Sequence, residues 1–140
     1  LGNYNISVMT ASLYMNDFRV IKSKKGKLWT PAQAQKTHEK SLEWLSKEFK
    51  KKADKKIVIT HHAPSIMSSS ERYKSHILSA SFSSNLETFM VQYNPEFWFH
   101  GHVHNQTGYI INKTKVMVNA MGYPGEYTGY IPHYLIDIRN

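Results

Sequence analysis

Runs of apolar residues predict two buried strands near the middle of the chain. Residues 57–60 form a continuous β-branched run, and residues 97–99 form an aromatic one. Uninterrupted runs of this length are typical of strands that are covered on both faces of a parallel sheet. Shorter alternating patterns predict further strands over residues 4–9, 107–111, 115–119 and 134–138. The strands over residues 107–111 and 115–119 are predicted to form a hairpin.

Two helices are predicted from apolar residues that recur at intervals of three and four. The first begins after Thr30, with Pro31 in the first helical position and Gln33 placed to complete a capping box. The buried stripe of this helix is predicted to contain His38, Leu42, Leu45 and Phe49. The second helix begins at a capping box over residues 84–87 and ends before Pro95. It lies between the two buried strands, and such a crossover makes the strands parallel.

Together these elements indicate an α/β fold with a mixed sheet and flanking helices. At 140 residues and 41% hydrophobic content, the chain is large enough for a core of its own, and we expect residues 1–140 to form a single domain. Residues 65–84 are rich in serine and lack periodicity, so they are predicted to be a long loop over the functional site.

Composition narrows the class of protein further. The sequence has no run of about eighteen apolar residues and no export-signal pattern at its start, so we expect a cytoplasmic protein without a membrane partner. It contains no cysteine, which excludes a disulfide framework and a thiolate zinc site. Any metal must therefore be bound by histidine, carboxylate, amide or water.

Positive charge is concentrated in one segment. Residues 19–56 carry thirteen Lys or Arg and four Asp or Glu, a net charge of +9 against +8 for the whole chain. One interpretation is a basic surface that attracts a nucleotide or nucleic acid. The other is a solvated helix face followed by a lysine-rich loop. The second is favoured because the aromatic residues of this segment fall at core-like helical spacing and leave no stacking platform.

The strongest chemical signal is histidine at the carboxyl ends of both buried strands. His61 and His62 follow the first strand, while His102 and His104 follow the second, with Gly101 placed for a sharp bend. In extended backbone, residues two apart point the same way, so His102 and His104 can reach one metal ion or two neighbouring ones. A single His-x-His pattern often occurs by chance. Two parallel strands that end in histidine at one rim of a sheet are a stronger indication of a ligand site.

The residues around these histidines resemble the last two sequence blocks of calcineurin-like metallophosphoesterases. The resemblance rests on Val-Ile-Thr-His-His-Ala-Pro-Ser at residues 58–65 and on Trp-Phe-His-Gly-His-Val-His-Asn at residues 98–105. Further likeness lies in residues 14–19, 28–31, 78–82 and 119–126. The resemblance implies half of the α/β/β/α sandwich of that family and a hydrolase of phosphoesters with a dinuclear metal site.

Carried over to this chain, the resemblance implies that His61 and His102 share one divalent metal ion and that His104 binds its neighbour. The two ions would be manganese, zinc or iron, and the substrate would be a phosphoester. His62 is the catalytic candidate: it would orient His61 or approach the substrate. Equally, it would turn outward as an ordinary polar residue at the end of a strand.

Other motifs of that family are missing from this sequence. It has no Asp-x-His and no Gly-Asp-x-x-Asp, and residues 2–4 have Tyr4 where Gly-Asn-His needs its histidine. Two metal ions need carboxylates to offset their mutual repulsion. We therefore expect the carboxyl-terminal half of a metallophosphoesterase domain, which is inactive without the amino-terminal half and self-associates through its uncovered apolar face. A non-catalytic histidine metal-binding module and a basic nucleic-acid-binding domain remain as alternatives.

Overall fold

The computed structural model describes residues 2–139, with side chains from residue 6 onward. Its helices are α1 (Gly2–Tyr14), α2 (Asn16–Val20), α3 (Pro31–Phe49), α4 (Glu71–Lys74), α5 (Ser79–Phe82) and α6 (Glu87–Tyr93), with a 3₁₀ turn at Ile66–Ser68. Its strands are β1 (Ile57–Ile59), β2 (Phe97–His100), β3 (Gly108–Ile111) and β4 (Thr114–Val118). None of the helices over residues 2–139 is both long and apolar enough to cross a bilayer.

The chain forms two compact units. One contains the residues up to Asp54 together with His76–Ser81, and the other contains Lys55–Ser75 and the residues from Phe82 onward. The first unit is helical and includes the basic segment up to residue 54. The second contains the sheet. That residues 1–140 form a single domain stays a prediction.

Helix α1 replaces the strand predicted over residues 4–9, and that prediction is wrong. The alternation of apolar residues there is too short to distinguish the two periods. Val8 is half-buried, while Ala11 and Met15 are buried. This spacing of three and four residues places them on the inward side of a helix. A helix also satisfies its backbone hydrogen bonds locally, whereas a strand needs a neighbour.

Helix α3 begins at the predicted capping box. The backbone N–H of Gln33 donates to the Thr30 hydroxyl at 3.3 Å, and the Thr30 N–H donates to the Gln33 side-chain oxygen at 3.0 Å. The predicted stripe is also confirmed: Phe49 is buried, and His38, Leu42 and Leu45 are half-buried. Local chemistry therefore marks where this helix starts, and its apolar periodicity indicates which side is buried.

The strands of the second unit form one mixed sheet in the order β1-β2-β4-β3. Strand β2 pairs in parallel with β1 and with β4, and β3 pairs antiparallel with β4. The predicted parallel pair and the predicted hairpin are therefore confirmed. The strand predicted over residues 134–138 is wrong, because that segment has no regular structure and its Leu135 side chain is 90% exposed.

One face of the sheet forms the core of this unit. The register aligns Val58, Trp98 and Val116 on that face, and all three are buried. Phe89 of α6 meets the Trp98 indole edge-on, with 6.2 Å between the ring centroids. Helix α6 therefore flanks this face, and the α/β class with a mixed sheet and flanking helices is confirmed.

The opposite face is covered only in part. Ile57 is 39% exposed and Ile59 is 78% exposed, although Phe97 beside them is buried against the ring of Phe99. The prediction that residues 57–60 are covered on both faces is therefore wrong. The reason is that β1 lies at the edge of the sheet and only Val58 points towards the core. Self-association through this face stays a prediction.

The connection between β1 and α6 has more structure than predicted. Residues 65–84 contain the 3₁₀ turn and the short helices α4 and α5. The capping box predicted over residues 84–87 is wrong, because Leu86 caps α6 without a side-chain hydrogen bond. Its backbone N–H donates instead to the carbonyl of Pro64 at 2.8 Å. The helix ends at Asn94, in the left-handed conformation, and Pro95 follows as predicted.

The capping box gives a test of local stability. Thr30→Ala removes the side-chain acceptor of α3 and is expected to lower the free energy of unfolding by about 1 kcal/mol. Urea unfolding followed by circular dichroism measures the change. Thr37→Ala, at an exposed position within α3, is the matched control and is expected to raise stability by a few tenths of a kcal/mol, because alanine is the better helix former. Equal destabilisation by the two variants would contradict the role of the cap.

Candidate metal centre

The ends of β1 and β2 meet at one rim of the sheet. Beyond the strands, the N–H of Thr60 donates to the carbonyl of Phe99 at 2.9 Å, and the N–H of Gly101 donates to the carbonyl of His61 at 3.0 Å. The parallel pairing thus continues to the first residues of both loops. It brings the loop that carries His61 against the loop that carries His102.

Three imidazoles are clustered at this rim. The ring centroids of His61 and His102 lie 4.9 Å apart, those of His62 and His102 lie 4.4 Å apart, and those of His61 and His62 lie 5.1 Å apart. Nδ1 of His102 and Nε2 of His61 are 3.2 Å apart. The sequence prediction that residues 61 and 102 come together is therefore met by the geometry.

The spacing of these two nitrogens fits ligands of a common metal ion. Two imidazole nitrogens bound to one tetrahedral ion at about 2.0–2.1 Å lie roughly 3.3 Å from each other. The separation of 3.2 Å between His61 and His102, at which the two rings are hydrogen-bonded to each other without a metal, is close to that value. Neutral imidazole is also a suitable ligand for zinc, manganese and iron. The pair therefore fits in both chemistry and spacing.

The pair alone is an incomplete site. Over the part of the chain that the structure describes, no three His, Cys, Asp or Glu side chains are grouped so that they could hold one ion. The structure thus provides two ring nitrogens, whereas a structural zinc ion takes four ligands and a catalytic one takes three from the protein. A metal ion held by this pair would need further ligands.

Thr60 holds the start of the first loop. Its hydroxyl donates to the carbonyl of His62 at 2.8 Å and accepts from the indole N–H of Trp98 at 3.0 Å. Trp98 is fully buried. The backbone of the two consecutive histidines is therefore fixed to the core through one hydroxyl group.

The second loop bends at His102 rather than continuing as a strand. His102 has a φ of +63°, and the N–H of Val103 donates to the carbonyl of Gly101 at 2.7 Å, which closes a tight turn around it. The prediction that His102 and His104 project together from extended backbone is therefore wrong. Gly101 is not the residue in the left-handed region. Backbone strain of this kind is common at functional sites.

His104 contacts an acidic residue that the sequence did not single out. Its Nδ1 lies 2.7 Å from Oε2 of Glu126, and its ring meets the Tyr123 ring edge-on at a centroid distance of 5.0 Å. The backbone N–H of Tyr123 donates to the same carboxylate oxygen at 3.0 Å. This N–H and the His104 ring lower the pKa of Glu126 below its ordinary value.

His100, the last residue of β2, is buried beneath the rim. Its Nδ1 lies 3.0 Å from the carbonyl of Gly101, and its Nε2 lies 2.8 Å from the Ser68 hydroxyl. Burial lowers the pKa of His100 and thus favours the neutral ring. Because a carbonyl can only accept, Nδ1 carries the proton and Nε2 accepts from Ser68.

The hydrogen bonds continue from Ser68 to other buried groups. The Ser68 and Tyr109 hydroxyls are 2.7 Å apart, and burial raises the pKa of Tyr109. Ser65, the N-cap of the 3₁₀ turn, accepts from the N–H of Met67 at 3.1 Å and donates to the carboxylate of Glu87 at 2.6 Å. This network connects the 3₁₀ turn, α6, β3 and the Gly101 carbonyl next to His102.

A family model described as calcineurin-like phosphoesterase matches residues 8–106, well over half of the chain. The chain belongs to the calcineurin-like phosphoesterase family. No curated protein and no solved structure matches it.

Membership of the calcineurin-like phosphoesterases places the chain among metal-dependent phosphoester hydrolases at the level of the family. The matched residues include His61, His62, His102 and His104. The match ends before Glu126. The contact between that carboxylate and His104 therefore joins a matched residue to one outside the match.

The buried network predicts unequal effects for two neighbouring serines of this calcineurin-like phosphoesterase. Ser68→Ala leaves the buried Nε2 of His100 without its donor and is expected to cost about 1–3 kcal/mol of stability. Ser69 is also buried, but its hydroxyl has no hydrogen-bond partner within the described residues. Ser69→Ala is therefore the matched control, expected to be neutral or stabilising. Chemical denaturation of both variants measures the difference, and equal losses would contradict the network.

Proposed function

We propose that this chain contributes the histidine ligands of a dinuclear metal site in a phosphoester hydrolase. His61 and His102 bind one divalent ion, and His104 binds its neighbour; the ions are manganese, zinc or iron. The single observation that carries the proposal is the distance of 3.2 Å between Nε2 of His61 and Nδ1 of His102. These atoms lie in the loops that follow two different strands, at a rim where ligands bind in α/β folds.

When bound, such a metal pair lowers the pKa of a water molecule and stabilises the charge that develops on phosphate oxygens. The residues of this chain have the task of holding and orienting. Thr60 and the β1–β2 pairing fix the backbone of His61. His62, whose ring lies 4.4 Å from that of His102 between centroids, faces the substrate and donates a hydrogen bond to a phosphoryl oxygen.

We further propose that the chain has no activity alone. Two divalent ions close together need anionic ligands. Within the described contacts, the one carboxylate placed at these histidines is Glu126, which is hydrogen-bonded to His104 and is not counted as a metal ligand. The carboxylate ligands belong to a partner, which is the amino-terminal half of the domain. The exposed Ile57 and Ile59 support such a partner, since it would cover an apolar face that otherwise favours self-association.

Metal binding tests the ligand assignment directly. Calorimetric titration of the chain with zinc or manganese is expected to detect binding. His102→Ala is expected to weaken this binding by about 100-fold or more, because mutation of a residue that only supports a metal ligand already costs about 10–100-fold in affinity. His38→Gln removes an imidazole from α3 and is the control. Binding that is the same in wild type and His102→Ala would exclude the assignment.

Hydrolysis tests the need for a partner. The purified chain with zinc or manganese is expected to cleave bis(4-nitrophenyl) phosphate no faster than the same metal in buffer, because the carboxylate ligands are missing. Addition of a polypeptide that carries the Asp-x-His, Gly-Asp-x-x-Asp and Gly-Asn-His motifs is expected to produce cleavage, which His102→Ala abolishes. Turnover by the chain alone that His102→Ala abolishes would contradict the proposed dependence on a partner.

A further inference from the structure

The loop that follows β4 is shaped around the carboxylate of Glu126. The turn is closed by the N–H of Glu126, which donates to the carbonyl of Tyr123 at 3.0 Å. The carboxylate folds back and accepts from the N–H of Tyr123, also at 3.0 Å. The same oxygen, Oε2, lies 2.7 Å from Nδ1 of His104. One carboxylate oxygen thus connects the turn to a candidate metal ligand.

Gly122 provides the space that this carboxylate occupies. Its φ is +75°, and a Cβ at this position would lie 2.5 Å from Cγ2 of Thr128 and 2.8 Å from Oε2 of Glu126. Thr128 is itself buried, and its hydroxyl donates to the carbonyl of Ala120 at 2.7 Å. The threonine therefore cannot move aside easily. Any side chain at residue 122 would displace the Glu126 carboxylate.

We infer that Glu126 is a positioning residue for His104. Its carboxylate accepts the Nδ1–H of His104 and thereby leaves Nε2 unprotonated as the atom that binds a metal. Metal-binding histidines usually donate their second ring N–H to a carboxylate or a carbonyl, which fixes the tautomer and the orientation of the ring. This inference rests on the proposed function, because it assigns a role towards the second metal ion of that site.

The hydrogen bond itself can be tested without any metal. Long-range ¹H–¹⁵N correlation spectra of the metal-free chain at about pH 8, where an ordinary histidine is neutral, report which nitrogen of His104 carries the proton. We expect the proton on Nδ1 in wild type and in Glu126→Gln, whose amide oxygen can still accept. We expect a shift towards Nε2 in Glu126→Ala. A proton on Nε2 in wild type, or no change in Glu126→Ala, would overturn the inference.

Zinc titration then separates this inference from the proposed function. Glu126→Ala is expected to weaken zinc binding at the His104 position by about 10–100-fold, with partial rescue by Glu126→Gln. If wild type and Glu126→Ala bind zinc equally well, the positioning role of Glu126 is overturned and the proposed function is not. No zinc binding by wild type would overturn the proposed function and, with it, the metal role of Glu126.

Two glycines of the same turn provide a matched pair of variants. Gly122→Ala is expected to move the carboxylate and so reproduce both effects of Glu126→Ala. Gly125 also has a positive φ, +82°, but a Cβ there would meet no atom within 4 Å. Gly125→Ala therefore imposes similar backbone strain without the collision and is expected to keep the wild-type tautomer. Identical spectra for the two alanine variants would count against the role of Gly122 in placing Glu126.

Discussion

The parallel pairing of β1 with β2 determines where the candidate ligands lie. Each strand has only three or four residues, and the hydrogen bonds continue past the strand ends to Thr60 and to Gly101. A shift of this register by one residue would exchange the buried and exposed sides of β1. His61 would then no longer face His102. The burial of Val58, Trp98 and Val116 on one face is therefore what keeps the two imidazoles in contact.

Much of the fold could be predicted because the signals for it are local. The capping residues around Thr30, the turn between β3 and β4 and the β-branched run before His61 each depend on a few adjacent residues. Two of the failures have a common cause in longer-range interactions. Residues 134–138 alternate like a strand but pair with no neighbour in the described structure, and α6 starts at a backbone hydrogen bond to Pro64 rather than at its own side-chain cap.

The same distinction applies to the candidate site. Histidines at two strand ends are visible in the sequence, and the prediction that two of them meet depends only on parallel strands. The contacts that support them are not visible. Glu126 is 22 residues from His104, and Ser68 is 32 residues from His100. Both separations are longer than any single helix or strand that the structure describes, so no local sequence pattern connects these residues before the chain has folded.

The left-handed turn at His102 sets two requirements on one residue. Glycine or asparagine would adopt a φ of +63° at lower energetic cost than histidine. Only histidine, however, places a second imidazole nitrogen next to His61. Backbone preference and side-chain chemistry therefore oppose each other at this position. A substitution that relaxes the main chain of this loop would remove the imidazole. The residue that would make residue 102 most stable is therefore not the residue that could bind a metal there.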